Sequence, residues 1–110
     1  MSREDRERLF DIVEALEAIR DYVGGSLEEP SIDGPIVLDA VLFRLIVIGE
    51  AAKHISAERL EAAPDIRWRD IAGLRDIIAH EYFRIQKQII EDTVRRDLPQ
   101  LLRVLHELLA

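Results

Sequence analysis

A short segment from Arg75 to Phe83 contains side chains that could act on a phosphate ester. A guanidinium such as that of Arg75 carries a permanent charge, and its planar fork of donors fits phosphate oxygens. The imidazole of His80 is a group that can take or give a proton. The two residues together suggest acid–base chemistry on a phosphodiester, although a structural ion network would explain the same residue types.

The spacing of Arg75 and His80 restricts how they can cooperate. On an ideal α-helix, residues five apart are rotated by about 140° from each other. The two side chains therefore converge only if the helix ends or distorts near His80, or if two chains share the site. The residues alone leave both possibilities open.

Other common catalytic and metal-binding motifs are absent from the sequence. The five glycines lack the spacing of a phosphate-binding loop, and there is no cysteine. The pairs His80-Glu81 and His106-Glu107 lack the second histidine of a zinc-binding helix. Glu50 and His54 lie one helical turn apart and could share a metal, but a helix-surface ion pair or hydrogen bond explains this spacing better. We expect neither a metal nor a cofactor.

Apolar residues at spacings of three and four predict the helices of the first half. The first helix is expected near residues 2–23, where Gly24-Gly25 would end it. A loop follows from Ser26 to Pro35. The next helix has apolar residues around most of its surface, which predicts either a central helix of a bundle or contact with a second subunit. Gly49 within that helix predicts a close helix crossing.

The second half is expected to contain a short helix and two long ones. The short helix is predicted over Ala57 to Ala63, and two apolar stripes follow, from Trp68 to about 82 and from Ile89 to Leu109. Pro99 predicts a kink near Asp97-Leu98. No segment alternates with a period of two. The expected fold is therefore all-α, an antiparallel four-helix bundle in one domain over residues 1–110.

Composition and charge limit the class of protein. Hydrophobic residues at 48% and charged residues at 34% are typical of a packed globular domain. The net charge of -7 argues against a protein that coats nucleic acid through its whole surface, but it allows a local basic cleft. The sequence has no signal peptide and no bilayer-spanning run. With no cysteine either, we expect a cytoplasmic protein without membrane insertion.

Three linked segments resemble the HEPN domains of the HepT-like toxin family. Arg75-x4-His80-x-Tyr82 matches the family's Arg-x4-His-x-Tyr signature. The run from Arg44 to Lys53 is similar to its central-helix Gly-Glu-Ala segment, and the run from Trp68 to Asp76 resembles its tryptophan-containing approach to the signature. Asp97-Leu98-Pro99 also matches its final helix. The likeness extends from about residue 6 to residue 109.

The chain departs from the family pattern at three positions. Asp76 stands where asparagine is frequent, Arg67 where a proline usually precedes the tryptophan, and Gln86 where an aspartate commonly follows the isoleucine. These differences concern the chemistry of the site and the loop that leads to it more than they concern the assignment of the chain to this family.

The resemblance implies a metal-independent endoribonuclease. Arg75 would bind the phosphate and stabilise the transition state, His80 would be the general acid and base, and Asp76 would orient one or both of them. The ribose 2′-hydroxyl would attack the adjacent phosphorus, leaving a 2′,3′-cyclic phosphate and a 5′-hydroxyl. DNA lacks this hydroxyl and would not be cut.

The resemblance also implies partners. Family members form homodimers in which both signatures line one cleft. Tyr82 matches the tyrosine to which a cognate MntA-like nucleotidyltransferase antitoxin attaches AMP, which would make this chain the toxin of a toxin–antitoxin module. Taken alone, a tyrosine such as Tyr82 is by default explained as a cover for a helix end.

Two alternatives of a different class stay open. One is a catalytically inactive HEPN module that dimerises and binds a nucleotide or a partner protein. The other is a plain helical packing domain in which Arg75 and His80 belong to a structural ion network.

Overall fold

The computed structural model describes residues 1–110 and contains helices but no strand. The elements are α1 (Arg3–Tyr22), α2 (Pro35–Lys53), the short α3 (Ala57–Glu61), α4 (Trp68–Glu81), a 3-10 turn (Tyr82–Arg84) and α5 (Lys87–Leu109). The predicted all-α class, with four main helices and one short extra helix, is confirmed. None of the helices is long and apolar enough to cross a membrane.

The ends of α1 follow local sequence signals. The Ser2 side chain caps the helix by accepting a hydrogen bond from the backbone N–H of Asp5 at 3.0 Å. At the other end, Gly24 and Gly25 have φ values of 102° and 96°, which other residues rarely adopt. The Gly25 N–H donates to the Arg20 carbonyl at 2.8 Å, so the glycine pair closes the helix as predicted.

Asp5 is the one buried charged residue, and it joins α1 to the start of α3. Its carboxylate accepts hydrogen bonds from the Ser56 backbone N–H at 2.9 Å and from the Ser56 hydroxyl at 2.6 Å. These bonds, first the one from the hydroxyl, hold the pKa of Asp5 below its usual range. The buried group is therefore ionised and hydrogen-bonded at neutral pH.

The loop between α1 and α2 contributes to the core although it has no regular structure. Leu27 and Ile32 are almost completely buried. The Ile32 backbone N–H donates to the Glu91 carboxylate on α5 at 2.8 Å. The predicted loop is thus fixed at both its apolar side chains and its backbone.

Helix α2 is the central helix of the fold. It packs against α1 on one side and α4 on another, and Val41, Leu45 and Ile48 are fully buried. This explains why apolar residues surround most of the helix. Ile36 and Phe43 nevertheless remain 85% and 59% exposed, so the apolar surface of α2 is larger than one chain covers.

Gly49 lies where α2 crosses α4. A Cβ atom added at Gly49 would stand 2.8 Å from the backbone N of Arg75 and 3.2 Å from the carbonyl oxygen of Ile71. The first distance is too short for a Cβ atom against backbone, and the second is tighter than an ordinary contact. The close crossing predicted from Gly49 is confirmed, and it brings α2 against the turn of α4 that carries Arg75.

Replacing Gly49 with alanine is expected to lower the free energy of unfolding by about 1–2 kcal/mol, because overpacking outweighs the better helix propensity of alanine. Gly73 is the matched control: it lies inside α4, and a Cβ there would meet nothing within 4 Å. Gly73→Ala should leave the stability unchanged or raise it by up to about 1 kcal/mol. Urea denaturation measures both variants, and equal effects at the two positions would contradict the close crossing.

Two contacts fix the start of α4. The indole N–H of Trp68 donates to the Ala63 carbonyl at 3.1 Å, and the Arg67 guanidinium binds the Asp97 carboxylate on α5 at 2.8 Å. Burial raises the pKa of Asp97, but hydrogen bonds from Arg96 and Arg67 outweigh it and hold the pKa below its usual range. Helix α5 continues through Pro99, and the kink there stays a prediction.

Candidate active site

Arg75, Asp76 and His80 all lie on α4, but at different points around it. Arg75 is in the middle of the helix, where α2 crosses, and His80 is in the last turn. The helix continues to Glu81, so the chain departs from the α-helix only after His80. Arg75 and His80 are therefore about 7.5 Å apart along the axis and rotated by about 140° around it. A single chain does not bring them onto one stripe.

Asp76 links Arg75 to α2. Its Oδ1 atom accepts hydrogen bonds from Lys53 Nζ at 3.0 Å and from Arg75 Nη1 at 3.1 Å. The hydrogen bond from Lys53, followed by the one from Arg75, holds the pKa of Asp76 below its usual range. The carboxylate is therefore ionised at neutral pH, and the three groups together carry one net positive charge.

Asp76 contacts only one of the two residues that it was expected to orient. No hydrogen bond or ion pair joins it to His80, which is exposed and makes no side-chain hydrogen bond. Arg75 is about half exposed, with 48% of its side chain accessible. Arg75 thus belongs to an ion network, as the packing-domain alternative requires, but His80 does not.

Lys53 was not among the residues singled out from the sequence for this site. It is the last residue of α2, one helical turn beyond Gly49, and Asp76 is the residue after Arg75. Because Gly49 packs on Arg75, the next turn of α2 passes beside Asp76. The spacing from Gly49 to Lys53 was the signal that could have indicated this contact.

An aromatic pair follows His80 in the 3-10 turn. The rings of Tyr82 and Phe83 meet edge to face, with their centroids 5.5 Å apart. Tyr82 is 51% exposed and its hydroxyl makes no hydrogen bond, while Phe83 is 99% exposed. Tyr82 is thus accessible to a modifying enzyme. A single residue, Glu81, separates it from His80 in the sequence.

The largest cavity, about 560 Å³, lies between α4 and α5 rather than at these residues. Ile77, Ile85 and Ile89 line it, together with the side chains of Arg69 and Arg84. Arg75, Asp76 and His80 are on other faces and do not line it. In the single chain the candidate catalytic groups therefore lie on an open surface without a surrounding cleft.

Glu50 and His54 are both exposed, and no ion pair or hydrogen bond joins them. The pairing expected from their spacing was therefore wrong. No group of three or more His, Cys, Asp or Glu residues is arranged to hold a metal ion.

Comparison with known proteins assigns the family. The profile of the family described as "Ribonuclease HepT-like" matches residues 12–108. The chain is 34% identical to "Probable ribonuclease HepT" of Thermococcus cleftensis, over 92% of this chain and 92% of that protein. It is 33% identical to a "Putative RNase" of Caldanaerobacter subterraneus subsp. tengcongensis, over 94% of this chain and 93% of that protein.

A further relative, from Methanocaldococcus jannaschii, is named "Gamma-glutamylcyclotransferase and putative RNase" and is 30% identical over 98% of this chain and 50% of that protein. No solved structure is significantly similar to the chain. The match of the family profile over most of the chain agrees with the signature that runs from Arg75 to Tyr82 on α4. The chain belongs to the HepT-like ribonuclease family.

Proposed function

We propose that the protein is a metal-independent endoribonuclease and the toxin of a toxin–antitoxin module. The observation that carries this proposal is the arrangement of Arg75 and His80 on α4. Both are accessible, and Arg75 belongs to a cluster with one net positive charge, which matches the single negative charge of a phosphodiester. Membership of a ribonuclease family supports the same reaction.

In the proposed reaction, His80 and Arg75 each have a distinct role. The imidazole of His80 takes the proton of the ribose 2′-hydroxyl, and the 2′-oxygen attacks the adjacent phosphorus. The bond from phosphorus to the 5′-oxygen breaks, and a protonated imidazole supplies the proton of the leaving 5′-hydroxyl. Arg75 binds the non-bridging oxygens and stabilises the charge that develops on them. The products are a 2′,3′-cyclic phosphate and a 5′-hydroxyl.

A homodimer would complete this site. One α4 holds Arg75 and His80 on different sides, and no cleft surrounds them in the single chain. A second copy would contribute another Arg75 and another His80 and supply the missing wall. Large exposed apolar side chains offer surface for such pairing: Ile36, Phe43, Ile77, Phe83 and Ile89.

Cleavage of a mixed RNA pool in the presence of EDTA tests the proposed function. The protein should be unmodified, as checked by intact mass, and dimeric, as checked by sedimentation at micromolar concentration. We expect fragments that end in a 2′,3′-cyclic phosphate. A monomer would contradict the shared site, and intact RNA after incubation with verified dimer would contradict the nuclease.

Tyr82 is the expected point of control by a nucleotidyltransferase antitoxin. Addition of AMP to its exposed hydroxyl would place a phosphate and a nucleoside beside His80 and block RNA there. Co-expression with a cognate nucleotidyltransferase should add one or more AMP masses to the wild type and none to Tyr82→Phe, whose nuclease activity should persist. Tyr22→Phe is the matched control, and modification of Tyr82→Phe would contradict the assignment.

Binding without catalysis is the second candidate function. The cavity of about 560 Å³ between α4 and α5, half of whose lining residues are apolar, favours it, because a nucleotide base or a partner's side chains could enter there. Absence of cleavage by verified dimer, together with saturable nucleotide or protein binding that Ile77→Glu abolishes, would favour this function over the nuclease.

A further inference from the structure

Lys53 approaches the site from a different helix than the signature residues. Its ammonium group donates to Asp76 Oδ1 at 3.0 Å, and the Arg75 guanidinium donates to the same atom at 3.1 Å. Asp76 Oδ2 accepts no hydrogen bond from the protein. One carboxylate oxygen thus holds two cations, one from each of the crossing helices.

This contact differs from most other ion pairs of the chain. Nine of the other ten join residues no more than four apart in the sequence, such as Arg3 with Glu7 and Arg95 with Asp92, and the tenth joins Arg67 to Asp97. Lys53 and Asp76 are 23 residues apart and meet because Gly49 lets α2 pack on the backbone of Arg75. The packed crossing therefore brings Lys53 and Asp76 close enough for their partly exposed side chains to meet.

The shared Oδ1 atom of Asp76 determines how the guanidinium group of Arg75 is oriented. With Lys53 in place, Asp76 is held from α2, and the guanidinium uses one of its N–H groups on the carboxylate. Without Lys53, Asp76 and Arg75 would form a neutral one-to-one pair. A carboxylate freed from α2 could turn to engage the guanidinium at two points, which would leave fewer donors for a phosphate.

We propose that Lys53 is a positioning residue of the RNA-cleaving site: it holds Asp76 from α2, so that Asp76 orients Arg75 toward the phosphodiester and the cluster keeps its net positive charge. The proposal rests on the proposed function for its effect on cleavage. The positioning of Asp76 itself can be measured without any substrate.

Lys53→Met removes the ammonium group but keeps most of the aliphatic stem, and Lys53→Arg keeps a cation. We expect Lys53→Met to lower kcat/KM for RNA cleavage by about five- to twentyfold, because Arg75 is then presented poorly, and Lys53→Arg to recover most of this loss. Arg95→Met is the matched control, since it removes a cation from another exposed ion pair and should leave kcat/KM unchanged. An unchanged kcat/KM in Lys53→Met, or no recovery in Lys53→Arg, would overturn the proposal.

The same substitution in an Asp76→Asn background distinguishes positioning from direct contact with RNA. If Lys53 acts through Asp76, Lys53→Met should have little further effect once the carboxylate is gone. An equal loss in both backgrounds would overturn the proposal, because Lys53 would then act on RNA by itself.

A titration of the Asp76 carboxyl carbon by NMR gives a readout without substrate. The pKa of Asp76 should rise in Lys53→Met and stay close to the wild-type value in Arg95→Met. If the wild type does not cleave RNA, the proposed function fails, and this titration still decides whether Lys53 holds Asp76. An unchanged pKa of Asp76 in Lys53→Met would overturn the positioning role.

Discussion

Replacing His80 with alanine is expected to lower the rate of RNA cleavage by about 10²- to 10⁴-fold, the usual contribution of a positioned acid or base. His80 is exposed and makes no side-chain hydrogen bond, so its loss removes a proton-transfer group without removing a structural contact. RNA affinity and the free energy of unfolding should therefore stay close to those of the wild type. Single-turnover cleavage with saturating protein measures the chemical step directly.

His106→Ala is the matched control for His80→Ala. His106 is also exposed and also lies in the last turn of a helix, but on α5. Its substitution should leave the cleavage rate unchanged. Equal rates for the wild type and His80→Ala would remove His80 from the reaction, and equal losses in both histidine variants would indicate a general effect of surface charge.

Replacing Arg75 with alanine should lower kcat by about 10²- to 10³-fold, the loss that follows removal of one group stabilising the charge of a transition state. Arg75 is about half exposed, and its guanidinium is held by Asp76 at 3.1 Å, so it is accessible and oriented at the same time. Arg75→Lys should recover only part of the rate, because an ammonium group cannot present two parallel N–H groups to phosphate oxygens.

The dependence of binding on salt provides a second measure for Arg75. The slope of log affinity against log salt concentration reports the number of phosphate contacts, so Arg75→Ala should reduce its magnitude by about 1. The affinity is measured with RNA that carries a non-cleavable 2′-deoxy linkage. Arg95→Ala is the control, since its partner is Asp92 on the same helix. An Arg75→Ala variant with wild-type kcat would show that another cation stabilises the transition state.

Local signals in the sequence were sufficient for most of the fold. The Gly24-Gly25 pair ends α1 where it was expected to, and Ser2 caps its start, because capping depends on a few adjacent residues. Gly49 predicted a close crossing because glycine is costly inside a helix unless a neighbour needs the space. The prediction did not name the partner helix, which the structure shows to be α4 at Arg75.

Features that depend on contacts between distant segments could not be predicted. Leu27 and Ile32 lie in a loop without apolar periodicity, yet they are buried because the loop folds over the core. Asp5 lies in the first turn of α1, yet its carboxylate binds Ser56 at the start of α3. No pattern within a single helix indicates a partner about fifty residues away.

The same limit applies to the candidate site. The Arg75-x4-His80-x-Tyr82 spacing predicted the residues on α4, and helix geometry predicted that Arg75 and His80 diverge unless the helix ends or a second chain joins. The α-helix ends at Glu81, one residue after His80, and the two side chains still diverge within it, which is why a site shared between two chains is proposed. The contact of Lys53 with Asp76 depends on how α2 and α4 cross, which the sequence alone does not specify.

We have proposed that a phosphodiester is cleaved by its own 2′-hydroxyl at a site formed by Arg75 and His80. The most direct measurement compares, in EDTA, an oligoribonucleotide with one that carries a single 2′-deoxy residue at the mapped cut. The wild-type protein should cleave only the first, with a 2′,3′-cyclic phosphate end, and His80→Ala should cleave neither. Cleavage at the 2′-deoxy position, or cleavage by the wild type that disappears in EDTA and returns with a divalent cation, would contradict the account.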